Sequence, residues 1–116
     1  MYNYRNIDPE KCEFVDITDE ADLADNERLF VEVENIRVVV FKIAGELFAI
    51  GDVCSHDDGP LGEGDLEEYD IVCPRHGARF DVRTGQVKAL PAIVDIPSYP
   101  VRVAAGMIQV GLPKES

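Results

Sequence analysis

The 116-residue sequence lacks tryptophan and contains only two histidines and three cysteines. Bases are also scarce, since 11 lysines and arginines face 23 aspartates and glutamates, which gives a formal net charge of −12. Because an acidic chain repels phosphate backbones, this composition argues against nucleic-acid binding. Three cysteines cannot all pair with one another, and they are too few for a disulfide-dense secreted scaffold.

Long apolar runs are absent as well. The longest candidate begins at Val38 and ends before Lys42, whereas a helix that crosses a bilayer needs roughly 20 apolar residues. The N-terminal residues continue into polar sequence rather than the apolar stretch of a secretory signal. We therefore expect a soluble, cytoplasmic protein with no membrane partner. Its length suits a single domain over residues 1–116.

The pattern of apolar and turn residues predicts short β-strands and almost no helix. The predicted strands of the two chain ends cover residues 13–17, 29–34, 36–43, 47–50, 93–103 and 107–110. Shorter fragments at 68–72, 79–82 and 86–88 fall inside a glycine- and proline-rich stretch at about 51–91. We predict an all-β fold, with an antiparallel base built from both ends and a loop-rich subdomain inserted at 51–91. A long irregular segment usually serves a function, and a metal would cross-link its loops.

Both histidines lie in this inserted stretch, each shortly after a cysteine. Cys54 is followed two residues later by His56, and Cys73 is followed three residues later by His76, with sixteen residues between the pairs. Thiolate and imidazole are the ligand types of zinc and iron–sulfur sites. Each short spacing lets one loop present sulfur and nitrogen together. Two such loops would surround one metal centre with two sulfurs and two nitrogens.

Zinc is the main alternative that these ligand types leave open. A zinc-stabilised binding module without redox activity would use the same four atoms. Common zinc patterns, however, place cysteine with cysteine and histidine with histidine, whereas each pair here mixes the two types. Two core histidines that happen to follow cysteines would be a further coincidence.

The two segments resemble the cluster-binding boxes of the Rieske family. They read CSHDDGPL over residues 54–61 and CPRHGARFD over residues 73–81, and the family pattern is C-x-H followed by C-x2-H-G. The turn at 83–85 and the proline segment at 90–92 also fall where the family has them, so the resemblance covers roughly residues 13–111. We expect Pro91 to stiffen a third loop that covers the cluster.

The resemblance implies the Rieske fold, also called the ISP domain: an antiparallel β-sandwich with an inserted cluster-binding subdomain. It also implies one Rieske-type 2Fe-2S cluster, with one iron held by Cys54 and Cys73 and the other by His56 and His76. These four residues are the predicted cofactor and metal ligands.

Departures from the respiratory branch of the family bear on the reduction potential. In that branch each box holds an extra cysteine and the two form a disulfide; Gly59 and Arg75 occupy the matching positions here. A serine and a tyrosine of that branch, which donate to cluster sulfurs, correspond to Ala78 and Phe80. Without these donors we predict a potential in the lower part of the Rieske range of roughly −150 to +300 mV.

Charged residues of the two boxes are interpreted in two ways. Asp57 and Asp58 either form a solvated acidic turn, which we favour, or lower the potential further by repelling the added electron. We expect Arg75 and Arg79 to pair with nearby acids rather than to form a docking patch.

Length and second-box sequence are most similar to the ferredoxins that serve aromatic-ring-hydroxylating dioxygenases. The resemblance implies a monomeric carrier that takes electrons from a flavin-dependent ferredoxin reductase and passes them to a terminal Rieske non-haem iron oxygenase. We expect no catalytic site, because a mononuclear iron site needs histidines and both are assigned to the cluster. The small Rieske-like subunit of a nitrite reductase is the alternative within electron transfer.

Overall fold

The computed structural model describes residues 9–57 and 59–113, and β-strands make up nearly all of its regular structure. The strands are β1 Cys12–Asp19, β2 Arg28–Val33, β3 Ile36–Ile43, β4 Glu46–Gly51, β5 Leu66–Glu67, β6 Asp70–Val72, β7 Arg79–Asp81, β8 Val87–Ala89, β9 Ser98–Tyr99, β10 Val101–Ala104 and β11 Met107–Pro113. Two short 3-10 turns, Pro9–Lys11 and Glu20–Asp22, flank β1. Neither these nor any other helix in the described ranges has the length and apolar character to cross a membrane.

Three antiparallel sheets contain these strands, in the orders β1-β11-β10, β2-β3-β4-β9 and β5-β6-β7-β8. The first sheet joins the two ends of the chain, since Cys12 pairs with Pro113 and Asp19 with Met107. The third sheet lies entirely inside the predicted 51–91 stretch. The all-β, antiparallel prediction is therefore confirmed, including a base that is built from both ends.

Strand β3 is buried on both faces, which explains its run of valines. Val38 and Val40 pack into a core shared with the β11 side of the base. Val39 and Phe41 point the other way, into a second core shared with the third sheet. Because side chains alternate along a strand, a continuous apolar run is what a strand between two cores requires. The β2-β3-β4-β9 sheet thus packs on the first sheet with one face and on the inserted segment with the other.

Strand boundaries agree with the prediction within three residues except at two places. The predicted strand at 93–103 is wrong over its first half, because 93–97 is irregular and only β9 and β10 are strands. Pro97 and Pro100 cannot donate to a ladder, and Pro100 separates β9 from β10. The predicted strand at 68–72 begins instead in a turn, where Glu68 adopts a φ of 57°. That turn makes β5 and β6 a hairpin.

Candidate metal centre

The two predicted cysteine ligands meet in the second core. Cys54 lies in the loop after β4, and Cys73 lies in the turn between β6 and β7. Both side chains are buried in the same apolar cluster, being 0% and 1% exposed. The two thiols lie close enough for Cys73 to raise the pKa of Cys54. The fold therefore brings together two sulfurs that are 19 residues apart in the sequence.

The two predicted histidine ligands meet at the surface. The ring centroids of His56 and His76 are 4.8 Å apart, and the ring planes are inclined by 80°. Both residues are exposed, and the side chain of His76 retains 44% of its accessible surface. Each loop therefore contributes one interior thiol and one surface imidazole.

Equivalent hydrogen-bonded turns hold the two boxes. The Cys54 N–H donates to the Gly59 carbonyl at 2.8 Å, and the Cys73 N–H donates to the Ala78 carbonyl at 2.7 Å. The Gly77 N–H then donates back to the Cys73 carbonyl at 3.0 Å, with Gly77 at a φ of 75°. A side chain is strained at that φ, so a glycine directly after His76 allows the tight turn.

Burial raises the pKa of the Cys54 thiol, and the hydrogen bond and charge of Cys73 raise it further, although N–H groups of His56 and Asp57 act in the opposite direction. The Cys54 thiol therefore resists ionisation unless a cation joins it. Because metal binding deprotonates cysteine ligands, such a pair is suited to a cationic group. Two thiols and two adjacent imidazoles on two loops fit an iron–sulfur group with mixed ligands.

Comparison with known proteins identifies the family. The model of the Rieske [2Fe-2S] domain matches residues 13–100. The chain belongs to the Rieske family.

Relatives of this Rieske protein include the ferredoxin subunit of 3-phenylpropionate/cinnamic acid dioxygenase from Escherichia coli, which is 38% identical over 95 residues, 81% of this chain and 89% of the relative. Among solved structures, the ferredoxin of carbazole 1,9a-dioxygenase from Nocardioides aromaticivorans superposes with a TM-score of 0.79 at 31% identity, over 87% of this chain and 98% of the other. A ferredoxin in a complex of reduced oxygenase and oxidised ferredoxin of carbazole 1,9a-dioxygenase gives 0.80 at 27% identity, over 89% and 96%.

These comparisons confirm the Rieske fold and the cofactor, one Rieske-type 2Fe-2S cluster. The relatives span nearly the same length and are named as ferredoxin subunits, so the expectation of an electron-transfer component rather than a catalyst is also confirmed. A zinc-stabilised module finds no support. The relatives likewise favour the dioxygenase ferredoxin over the nitrite reductase subunit.

Asp57 lies in an exposed turn, as the favoured interpretation has it, and its carboxylate is in addition bound by Arg75. The Arg75 guanidinium donates to both carboxylate oxygens, from Nε at 2.7 Å and from Nη2 at 2.8 Å. These bonds hold the pKa of Asp57 far below its usual range. Asp58 lies outside the described residues. Although ligand atoms of His56, Asp57 and His76 lie within 4.8 Å of one another, Arg75 already occupies both oxygens of Asp57.

Both arginines of the second box pair with acids, as expected. Besides the Arg75 pair with Asp57, Arg79 Nη2 lies 2.7 Å from Glu67 Oε1. The guanidinium of Arg79 therefore supports the hairpin of the third sheet, which favours ion pairing over a free basic patch.

Two further residues anchor the first box and were missed from the sequence. Asp52 Oδ1 accepts the N–H groups of Leu61 at 2.9 Å and Gly62 at 2.7 Å. Arg28 Nη1 reaches from β2 to the carbonyls of Gly62 at 2.5 Å and Gly64 at 2.7 Å. The position of Asp52, two residues before Cys54, is only a weak indication in the sequence that it anchors the first box. Arg28 is 34 residues from its first partner, and no short-range pattern marks it.

A third loop lies beside the first box, near where the proline segment was predicted. The Ser55 hydroxyl donates to the Val94 carbonyl, which ties this loop to the residue between Cys54 and His56. The loop exposes large apolar side chains: Leu90 is 75% exposed, Ile93 77% and Val94 54%. Three exposed apolar side chains on a loop that is hydrogen-bonded to Ser55, the residue before His56, form a surface that is suited to contact with another protein.

Proposed function

We propose that this Rieske protein is the ferredoxin of an aromatic-ring-hydroxylating oxygenase system, carrying single electrons from a flavin-dependent reductase to a terminal oxygenase. The observation that carries the proposal is its similarity, over most of both chains, to ferredoxins of dioxygenase systems. One such neighbour is structurally characterised in complex with its oxygenase. The reductase belongs to the proposal because a carrier needs an electron source.

We assign the cluster to Cys54, His56, Cys73 and His76. The facing thiols in the core and the adjacent imidazoles at the surface support this assignment. When bound, a 2Fe-2S group supplies one-electron redox chemistry. Imidazole is neutral where a thiolate is negative, so two histidines leave the site two charges less negative than four thiolates would. That difference favours acceptance of an electron.

The chain itself buries one side of the proposed cluster site and leaves the other side exposed to solvent. Burial of Cys54 and Cys73 in the apolar cluster keeps water from the sulfurs, while the exposed rings of His56 and His76 give an electron a short route to a partner. The exposed apolar loop around Ile93 is tied to the first box through the Val94 carbonyl, which accepts the Ser55 hydroxyl. We include this loop in the docking surface, since weak redox encounters use small interfaces.

Further parts of the proposal concern organisation. We treat residues 1–116 as one Rieske domain with a cluster-binding subdomain at about 51–91, in keeping with the third sheet and both boxes. We propose that the carrier acts as a monomer. A cytoplasmic location suits three cysteines that form no disulfide, because that compartment keeps thiols reduced.

The test begins with an anaerobic redox titration followed by electron paramagnetic resonance. A reversible one-electron signal of Rieske type with a low midpoint is expected. The reduced protein is then mixed in a stopped-flow instrument with the terminal oxygenase of the 3-phenylpropionate dioxygenase system, and with an assimilatory nitrite reductase as the control. Oxidation by the oxygenase alone supports the proposal. Oxidation by the nitrite reductase alone, or a redox-silent protein after iron-replete preparation, overturns it.

A further inference from the structure

We infer that Arg75, Asp57 and Gly59 form a non-covalent clamp that joins the two ligand loops and retains the cluster between them. The inference rests on the ligand assignment proposed above. It makes Arg75 and Asp57 positioning residues, because neither is assigned as a ligand.

Arg75 reaches from the second box to three points of the first. Its Nε and Nη2 bind Asp57 Oδ2 and Oδ1 at 2.7 and 2.8 Å, and its Nη1 donates to the Pro60 carbonyl at 2.5 Å. Asp57 Oδ1 also accepts the Gly59 N–H at 3.0 Å, and Oδ2 lies 3.4 Å from His76 Nε2. A two-point arginine–carboxylate contact fixes direction as well as distance, so the clamp defines how the loops face each other.

Gly59 makes room for the guanidinium. A Cβ at this position would lie 2.7 Å from Arg75 Cζ and 2.7 Å from Nη2, which is too close for any contact between heavy atoms of this kind. The three heavy atoms nearest to that Cβ, namely Cζ, Nη2 and Nε, all belong to the Arg75 guanidinium. The glycine is therefore required for the packing of the clamp.

Positions 59 and 75 are also those where the respiratory branch places its two disulfide-forming cysteines. Their contact in this structure shows that the chain keeps the same two points together without a covalent bond. The clamp thus occupies the place of that cross-link.

Other anchors do not duplicate this role. Asp52 and Arg28 tie the first box to the base sheet, but neither touches the second box. Within the described ranges, hydrogen bonds that join residues 54–61 to residues 73–81 without using a ligand side chain all come from the Arg75 guanidinium. Without it, apolar packing in the shared core and the ligand side chains would still join the boxes, but the directional contacts between the two loops would be lost.

The test compares cluster release from the anaerobically loaded protein, measured as loss of visible absorbance in excess chelator, in wild type, Asp57→Asn and Arg75→Gln. Partners that orient metal ligands typically contribute about 10- to 100-fold to metal retention, and we expect faster release of this order in both variants. Glu67→Gln is the matched control, because it removes the 2.7 Å pair with Arg79 without touching the clamp. Its release rate should stay at the wild-type value.

Reduction potentials separate a clamp from a charge effect. Asp57→Asn removes a negative charge and should raise the potential, whereas Arg75→Gln removes a positive charge and should lower it. A clamp requires both variants to release the cluster faster although their potentials move in opposite directions. Release that follows the sign of the potential change instead would overturn the inference.

Rescue provides the second arm. Arg75→Lys should release the cluster more slowly than Arg75→Gln, because a lysine can still pair with Asp57. Gly59→Ala should speed cluster release without changing either charged partner. The double variant G59C/R75C, once its disulfide is verified by mass spectrometry, should return release towards the wild-type rate, with Arg75→Cys as its control. Wild-type-like release in Asp57→Asn, Arg75→Gln and Gly59→Ala would overturn the clamp while leaving the ligand assignment intact. A wild type that never loads a cluster would overturn the proposed function itself.

Discussion

A serine at position 78 should raise the reduction potential of the cluster. Ala78 is fully buried, and its carbonyl accepts the N–H of Cys73 at 2.7 Å, so its side chain belongs to the turn that presents a proposed ligand. Water cannot satisfy a hydroxyl at this site. The resemblance to the respiratory branch places a donor to a cluster sulfur at the matching position, and the Ala78→Ser variant would restore it.

The size of the effect follows from the energy of such a bond. Hydrogen bonds to charged groups contribute about 1.5–3 kcal/mol, which corresponds to about 65–130 mV for a one-electron couple at ~59 mV per tenfold change. This is an upper bound, because only the difference between the oxidised and reduced states shifts the potential. Adding one oxygen to a packed site should lower the free energy of unfolding by about 1–3 kcal/mol.

The assay is a redox titration of the anaerobically prepared protein followed by electron paramagnetic resonance, with Ala78→Val as the control that adds bulk without a donor. We expect a rise for Ala78→Ser and little change for Ala78→Val. Phe80→Tyr, at another fully buried position of the same core, should also raise the potential. An unchanged potential in Ala78→Ser, or an equal rise in Ala78→Val, would refute the reasoning.

Three further outcomes are expected. Leu61→Ala, at a fully buried position in the core that holds the thiols, should lower the free energy of unfolding of the loaded protein by about 2–5 kcal/mol. The control Leu90→Ala, at a 75% exposed position, should change it by less than about 0.5 kcal/mol. Equal losses for the two variants in anaerobic denaturant titrations would contradict this. Asp81 is 7% exposed and accepts bonds from the backbone and guanidinium of Arg83 at 2.8–3.0 Å, so Asp81→Ala should cost about 1–3 kcal/mol in the same titrations. Ile93→Ser should slow electron delivery to the oxygenase several-fold with an unchanged midpoint potential, and an unchanged stopped-flow rate would exclude this loop from the docking surface.

Short-range patterns predicted the parts of the site that depend on local spacing. Cys54 and His56 are two residues apart, and Cys73 and His76 three, so each loop presents its pair whatever the rest of the fold does. Strand β3 was predicted with both ends correct because its valine-rich sequence favours a strand and turn residues flank it on both sides.

The contacts that could not be predicted from the sequence join residues far apart along the chain. Arg28 binds carbonyls more than 30 residues away, and carbonyl acceptors carry no side-chain signature. The partner of Asp57 was missed for a similar reason, since Arg75 lies 18 residues further along the chain. The irregular path of 93–97 is set by contacts with distant parts of the chain. The Gly51 N–H donates to the Pro97 carbonyl, and the Ile96 N–H donates to the Gly85 carbonyl.

Mixed cysteine and histidine ligation at the four named residues is tested most directly by pulsed electron paramagnetic resonance of the reduced protein, labelled with ¹⁵N-histidine. The chain contains only two histidines, so two nitrogen couplings to the cluster would assign both His56 and His76 without mutation. The account predicts two directly coordinated nitrogens, each lost when its histidine is replaced by cysteine. One coupling, or none, would contradict it.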